Sequence, residues 1–295
     1  MKKPQWITIA IAVLLTAVIF KFARTTPDKK AIVAADNQQH AENDGHDHGP
    51  ASNYSIDTVL LQAKKTLKQD QLIRLNNLEN SITRGDVKAQ QLNVYHQLSH
   101  FWKDSARIFE PYAWYEAEGA RLENSEKSLT FAARLFLDEL QNDQLDGRRL
   151  WKALQAKDLF ERSLKINPEN DSAKVGLGAC YLFGNITSSP MEGIAKIREV
   201  VQKDSTNVYA QLTLAKGSLL SGQFDKAISR LETVIKLQPG DMEAYLLMAD
   251  LYERKQEFKN AISWYQKSLG VIRQPEIKAA VSQRMVRQRP DARIP

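Results

Sequence analysis

Three histidines and two aspartates crowd into one short stretch, His40, Asp44, His46, Asp47 and His48, and these side chains come nearest to a chemical constellation. Two imidazoles one residue apart, His46 and His48, would hold copper, nickel or zinc loosely on a mobile chain. The plainer reading is a polar linker that happens to contain histidine, so no metal or cofactor is assigned and His46 and His48 stand as the metal candidates. Cys180 is the single cysteine, which excludes an intrachain disulfide. No histidine lies near it in sequence and no motif surrounds it, so it reads as a small buried apolar residue rather than a nucleophile. Arg84-Gly85-Asp86 reads as a turn. Phe109, Tyr112, Trp114, Tyr115, Phe131 and Phe136 recur at helical spacing and are expected to form core rather than a ligand box. HExxH, CxxC, a phosphate-cradling glycine loop and a Gly-x-Ser-x-Gly elbow are all missing from the sequence. The expectation is a binding protein and not an enzyme.

The elements that position these residues are helical. Strict alternation of apolar and polar residues is scarce, and the 13 glycines and 10 prolines fall mostly where helices would end. Ile56 to Ile82 carries apolar residues three or four apart, as one amphipathic helix would, and a second follows the Arg84–Asp86 break. Asn124-Ser125-Glu126 separates two more helices by capping the second. Gln141 to Arg149 reads as a polar connector. Pro275 opens a last helix to about Gln288, with Ile277, Ala280, Val281 and Met285 as its buried stripe and Lys278, Gln283 and Arg284 towards water.

Between Ser205 and Arg273 one pattern is written twice at a spacing of 34. Leu214 and Ala215, Gly222 and Phe224, Ala227, Leu231 and Pro239 are echoed by Met248 and Ala249, Gln256 and Phe258, Ala261, Tyr265 and Arg273. A period of this size marks helical hairpins that bury their apolar faces only by stacking on neighbours. Small residues at Ala215, Ala227, Ala249 and Ala261 let paired helices approach, and Leu231 and Tyr265 fill the groove beside them. Gly222 suits a left-handed helix stop, Asp225 an N-cap, and Gln238 to Asp241 a turn that closes one repeat and caps the next. Upstream, Leu177, Gly178 and Tyr181 with Gly193, Ile197 and Val200 form a repeat 37 residues long, its extra residues in the loop Gly184 to Pro190; Ala156, Phe160, Ser163 and Pro168 fit the second helix of one before it.

These residues resemble the tetratricopeptide repeat family. The resemblance implies an all-α fold, a right-handed α-solenoid of helical hairpins, with three full repeats from Asp171 to Arg273 and at least one degenerate repeat before them. The division expected is an N-terminal anchor over 1–24, a histidine-containing linker over 25–54, degenerate helical repeats over 55–148, repeats over 149–273 and a capping helix with tail over 274–295. In this family the first helix of each hairpin lines a concave protein-binding face. The positions concerned here are Ser172, Val175 and Ala179; Tyr209, Leu212, Thr213 and Lys216; and Glu243, Leu246, Leu247 and Asp250. The family's clamp for a C-terminal carboxylate is not matched, because Val175, Ala179, Thr213 and Leu247 stand where it uses Lys, Asn and Arg. A protein or peptide ligand for a mixed apolar and charged groove is the partner implied.

The net charge is +6, but residues 1–30 alone hold a surplus of five, so the basic balance belongs to the N-terminus and nucleic acid is not an expected partner. The 17 residues from Pro4 to Phe20 carry no charge and are predominantly apolar, short for a bilayer span and long for a signal peptide. Without a small-x-small cleavage site directly after Phe20, an uncleaved anchor through residues 4–22 is expected, with Trp6 at one interface and Lys21 and Arg24 at the other. The Lys and Arg count slightly favours a cytoplasmic C-terminal side. A basic start followed at once by an apolar run favours export, and the location expected is the cytoplasmic membrane with the solenoid on the periplasmic side.

Overall fold

A computed structural model describes residues 54–82, 87–140, 142–143, 145–186 and 190–288. The expected anchor over 1–24, the histidines of the linker and the Arg84–Asp86 turn lie outside the described residues. Among the described residues there are thirteen α-helices, one π-helical segment and no strand. The helices are α1 Ile56–Lys65, α2 Gln69–Ile82, α3 Lys88–His100, continued by the π-helical turn Phe101–Ala106, α4 Phe109–Glu123, α5 Glu126–Leu140 and α6 Asp146–Ile166. They continue as α7 Asp171–Phe183, α8 Met191–Lys203, α9 Val208–Leu220, α10 Phe224–Leu237, α11 Met242–Arg254, α12 Phe258–Val271 and α13 Pro275–Gln288.

Neighbouring helices pair as hairpins, α5 with α6, α7 with α8, α9 with α10 and α11 with α12, and α13 packs on α12. The first helices α5, α7, α9 and α11 also touch one another in series, so one side of the row is made of first helices. Helix α6 starts at Asp146 and its partner is α5, so hairpin stacking reaches back to Glu126.

Local sequence explains the boundaries. Asn170, Asn207 and Asp241 stand at the same place in successive repeats. Each side chain accepts a hydrogen bond from the backbone N–H three residues on, at 2.9, 3.0 and 3.0 Å. One such cap is worth about 1 kcal/mol. Between the helices of the last three hairpins one residue is left-handed, Asn185 (φ 52°), Gly222 (φ 71°) or Gln256 (φ 60°). Gln223 then donates to the Ser218 carbonyl at 2.8 Å and Glu257 to the Tyr252 carbonyl at 2.9 Å, closing the helix end.

Two expectations are corrected. The segment 56–82 is two helices, because Thr66 ends the first by donating from Oγ1 to the Ala63 carbonyl at 2.8 Å, and Gln71 Oε1 accepts from the Lys68 N–H at 3.0 Å to start the second. Asp225 is not the cap of α10. That position is Gln223, which makes no side-chain cap, and Asp225 sits in the first turn, where its charge meets the helix dipole.

Each apolar stripe closes against its neighbours. Ala227, Leu231 and Tyr265 are fully buried, Cys180 is buried among Leu177, Phe160 and Ala156, and burial pushes its thiol up. The aromatics before the repeats divide. Phe136 is core, Trp114 stacks on Trp151 at 6.4 Å, and Phe131, against expectation, is exposed.

Candidate functional site: the face of first helices

The face made by α5, α7, α9 and α11 carries three adjoining cavities of about 340, 460 and 530 Å³. Glu243 of α11 lines all three, which makes them one groove crossing the row. At its centre Lys216 Nζ of α9 lies 2.5 Å from Glu243 Oε1, tying two hairpins together across the groove floor. Both side chains remain partly exposed, so the pair is worth under about 1 kcal/mol and offers a charge of each sign to an incoming ligand.

The groove changes character along its length. At the α5 end, Asp138 reaches solvent but is desolvated by the groove wall, which lifts its carboxyl against the pull of Arg134 and Lys216. Arg134 lies over the Tyr209 ring at 5.2 Å, and burial raises the Tyr209 hydroxyl as well. The middle mixes apolar Phe183, Leu219, Leu220 and Leu247 with charged Arg149, Lys216, Glu243 and Arg254; Leu220 is 62% exposed. Beyond it Asp250 is already occupied, because Arg284 of α13 pairs with it and approaches Glu253 at 3.1 Å. Arg284 therefore does not simply face water, as its helical position led one to expect.

Of the expected binding positions, Ala179, Tyr209, Thr213, Lys216, Glu243, Leu247 and Asp250 line the groove, and Leu246 lines its end beside Val281 of the capping helix. Val175 is buried against Ile197, Val200 and Leu214, and Leu212 is buried between α9 and α10. Both serve hairpin packing. Ser172 is half-buried and lines none of the three cavities. Sequence reasoning missed Asp138, Arg149, Leu220 and Arg254. Two consecutive leucines at the end of a first helix, Leu219-Leu220, were the available signal for one of them: Leu219 is buried and Leu220 is left in the groove.

Among the described residues no group of three or more His, Cys, Asp or Glu side chains is disposed to hold a metal, and no helix is long and apolar enough to cross a membrane. His46 and His48 lie outside the described residues.

Residues 212–276 match the tetratricopeptide repeat family. Two curated Haemophilus influenzae proteins are similar to this chain. One, named for cytochrome c-type biogenesis (CcmH), is 23% identical over 159 residues, 48% of this chain and 34% of the relative. The other, lipopolysaccharide assembly protein B, is 28% identical over 137 residues, 45% of this chain and 33% of the relative. The chain thus spans about a third of the length of the curated relatives it matches. Among solved structures, PilW, a type IV pilus biogenesis factor, is similar at 16% identity and a TM-score of 0.47, covering 67% of this chain and 85% of that one. Residues 212–276, which fall on α9 to α13, thus carry tetratricopeptide repeats, and the same cap and left-handed residue recur in the hairpin before them, at Asn170 and Asn185.

Proposed function

We propose that the chain is a membrane-tethered scaffold, not an enzyme, that recruits a protein or peptide to the cell envelope through the groove of first helices. The observation that carries this reading is the continuity of the groove: three cavities share Glu243, with apolar side chains beside a charge of each sign at Lys216 and Glu243. A ligand of alternating apolar and polar character, an amphipathic helix or an extended segment, fits such a surface. The tether rests on the apolar run from Pro4 to Phe20 and the polar linker behind it. The envelope setting draws on that run and on relatives named for cytochrome c-type biogenesis and lipopolysaccharide assembly.

Photo-crosslinking residues placed at Leu220 and Leu247 of the full chain in cells test the groove, with exposed Glu232 of α10 as the control position. Discrete adducts at the groove positions that disappear on Lys216→Glu support it; equal labelling at Glu232, or adducts indifferent to Lys216→Glu, would sink it. Alkaline phosphatase or green fluorescent protein fused after Pro295 tests the side of the membrane. Phosphatase activity without fluorescence supports the periplasmic placement, and fluorescence without phosphatase activity refutes it.

A further inference from the structure

A second cleft, of about 200 Å³, opens between the second helices α8 and α10 and shares only Leu182 with the groove. Its walls carry three cations, Arg198, Lys226 and Arg230, and no carboxylate lines it. Among the described residues none of the three pairs with a carboxylate. Arg230 Nη1 donates to Gln211 Oε1 at 2.8 Å and Lys226 Nζ to Gln223 Oε1 at 2.7 Å, both neutral acceptors. Several other cations of the array are matched, among them Lys157 with Glu161, Lys203 with Glu169, Lys216 with Glu243, Lys255 with Glu257 and Arg284 with Asp250, whereas here three unmatched ones share a single cleft.

The cluster is not a demand of the repeat. One repeat on, 34 residues later, the same three places hold Glu232, Asn260 and Trp264. Packing between second helices therefore works without these cations. The arrangement also has a cost. Arg230 is held below its ordinary value, first by burial and then by the like charge of Arg198. An anion seated between the two guanidiniums would cancel that repulsion. Ser218 supplies a hydroxyl donor to such a guest, and Leu182, Ile194 and Leu214 give the cleft an apolar floor.

We propose that this cleft binds a small oxyanion carrying a short apolar arm, with Arg198 and Arg230 gripping the charged group. The volume admits roughly six groups of the size of a water molecule, enough for a phosphate or carboxylate head with a few methylenes but not for a folded peptide. This site is independent of the groove and of the partner proposed for it.

The test is calorimetric titration of the full chain in an uncharged detergent with butyl phosphate, inorganic phosphate and soluble dihexanoyl phosphatidylglycerol. Butyl phosphate is expected to bind more tightly than inorganic phosphate, with an affinity that falls as salt is raised. The double variant Arg198→Gln, Arg230→Gln should lose about tenfold or more in affinity. Arg198→Gln alone should unfold no earlier than wild type, because it removes a repulsion, so loss of binding there is not loss of fold. Binding of the phospholipid but not of butyl phosphate identifies a membrane headgroup as the oxyanion, and the reverse identifies a free small molecule. Equal affinity in wild type and double variant, or no binding of any probe up to about 10 mM, overturns the proposal.

Discussion

Gly178 of α7 and Gly193 of α8 meet with no side chain between them: a β-carbon on Gly178 would stand 2.6 Å from the Gly193 carbonyl oxygen, and one on Gly193 2.7 Å from Tyr181 Cβ. The next two hairpins carry Ala215 with Ala227 and Ala249 with Ala261 at these places, all four buried. The α7–α8 hairpin therefore closes to backbone contact where its successors leave room for a methyl group. Gly178→Ala should lower stability by about 1–3 kcal/mol, because Ile197 and the facing backbone must move. Gly119→Ala in α4 is the control. Its β-carbon would find Leu92 and Tyr95 at 3.7 Å, an ordinary contact, and alanine gains up to about 1 kcal/mol of helix propensity. Urea unfolding of the full chain reads both, and equal midpoints for the two variants would show that the approach is not tight.

A second prediction concerns the left-handed residue between paired helices. Gly222, with nothing within 4 Å of an added β-carbon, and Gln256 hold it at φ 71° and φ 60°. Glycine adopts this conformation without the penalty that a side chain brings, about 1–2 kcal/mol. Gln256→Gly should raise the unfolding midpoint and Gly222→Gln should lower it. The same sign for both changes would mean that something other than backbone conformation governs the turn.

That pair also shows what the sequence made legible. Gly222 announced its conformation, and Asn185 is of a type that adopts it readily, whereas Gln256 shares it without the residue type that signals it. The packing residues were readable because period and size fix them: Ala215, Ala227, Leu231 and Tyr265 are buried as their spacing required. The groove was half readable. Repeat position distinguishes the first-helix side, which found Lys216, Glu243 and Asp250, but it does not tell which of two adjacent side chains turns inward, and Val175 and Leu212 went to core. Asp138 and Arg284 were out of reach because α5 and α13 carry no clear repeat spacing, and only the stacking of the row places them on the groove.

The third prediction concerns Lys152 of α6, whose Nζ lies 3.0 Å from Asp143 Oδ2 and 3.2 Å from Glu110 Oε1, with all three side chains largely removed from solvent. Removing the cation in Lys152→Met leaves carboxylates confronting one another and should cost about 2–3 kcal/mol, less than the ~3–5 of a pair left wholly uncompensated, because Arg148 remains beside them. Thermal unfolding at neutral pH measures this.

The same cluster sets an acid response. Burial works to raise the Asp143 carboxyl, but hydrogen bonds from Lys152 and Arg148 outweigh it and hold the group below its ordinary 3.8. The unfolded chain then binds the proton more readily than the folded one. The stability due to this group is present above about pH 4 and is lost as the pH falls below it. Asp143→Asn should be less stable than wild type at neutral pH, and the gap should narrow as the pH falls below about 4. A gap constant through that range would show that the Asp143 charge is not the group responsible.

The last prediction concerns how the row ends. Helix α13 buries only Val281 and Met285, and it is held in addition by Arg284, which pairs with Asp250 and Glu253 and lies over the Tyr265 ring at 5.4 Å. Since Arg284 is 48% exposed, its ion pairs are screened, and Arg284→Ala should loosen α13 by only about 0.5–1 kcal/mol. Hydrogen exchange of the α13 amides should quicken about twofold to fivefold, while α11 and α12 keep their protection. Met285→Ala, which removes buried apolar contact, should cost more, about 2 kcal/mol or above. If the two changes have equal effect, charge rather than packing holds the capping helix. If Arg284→Ala also exposes α11 and α12, then α13 is part of the cooperative core of the repeats and not a helix that closes their end.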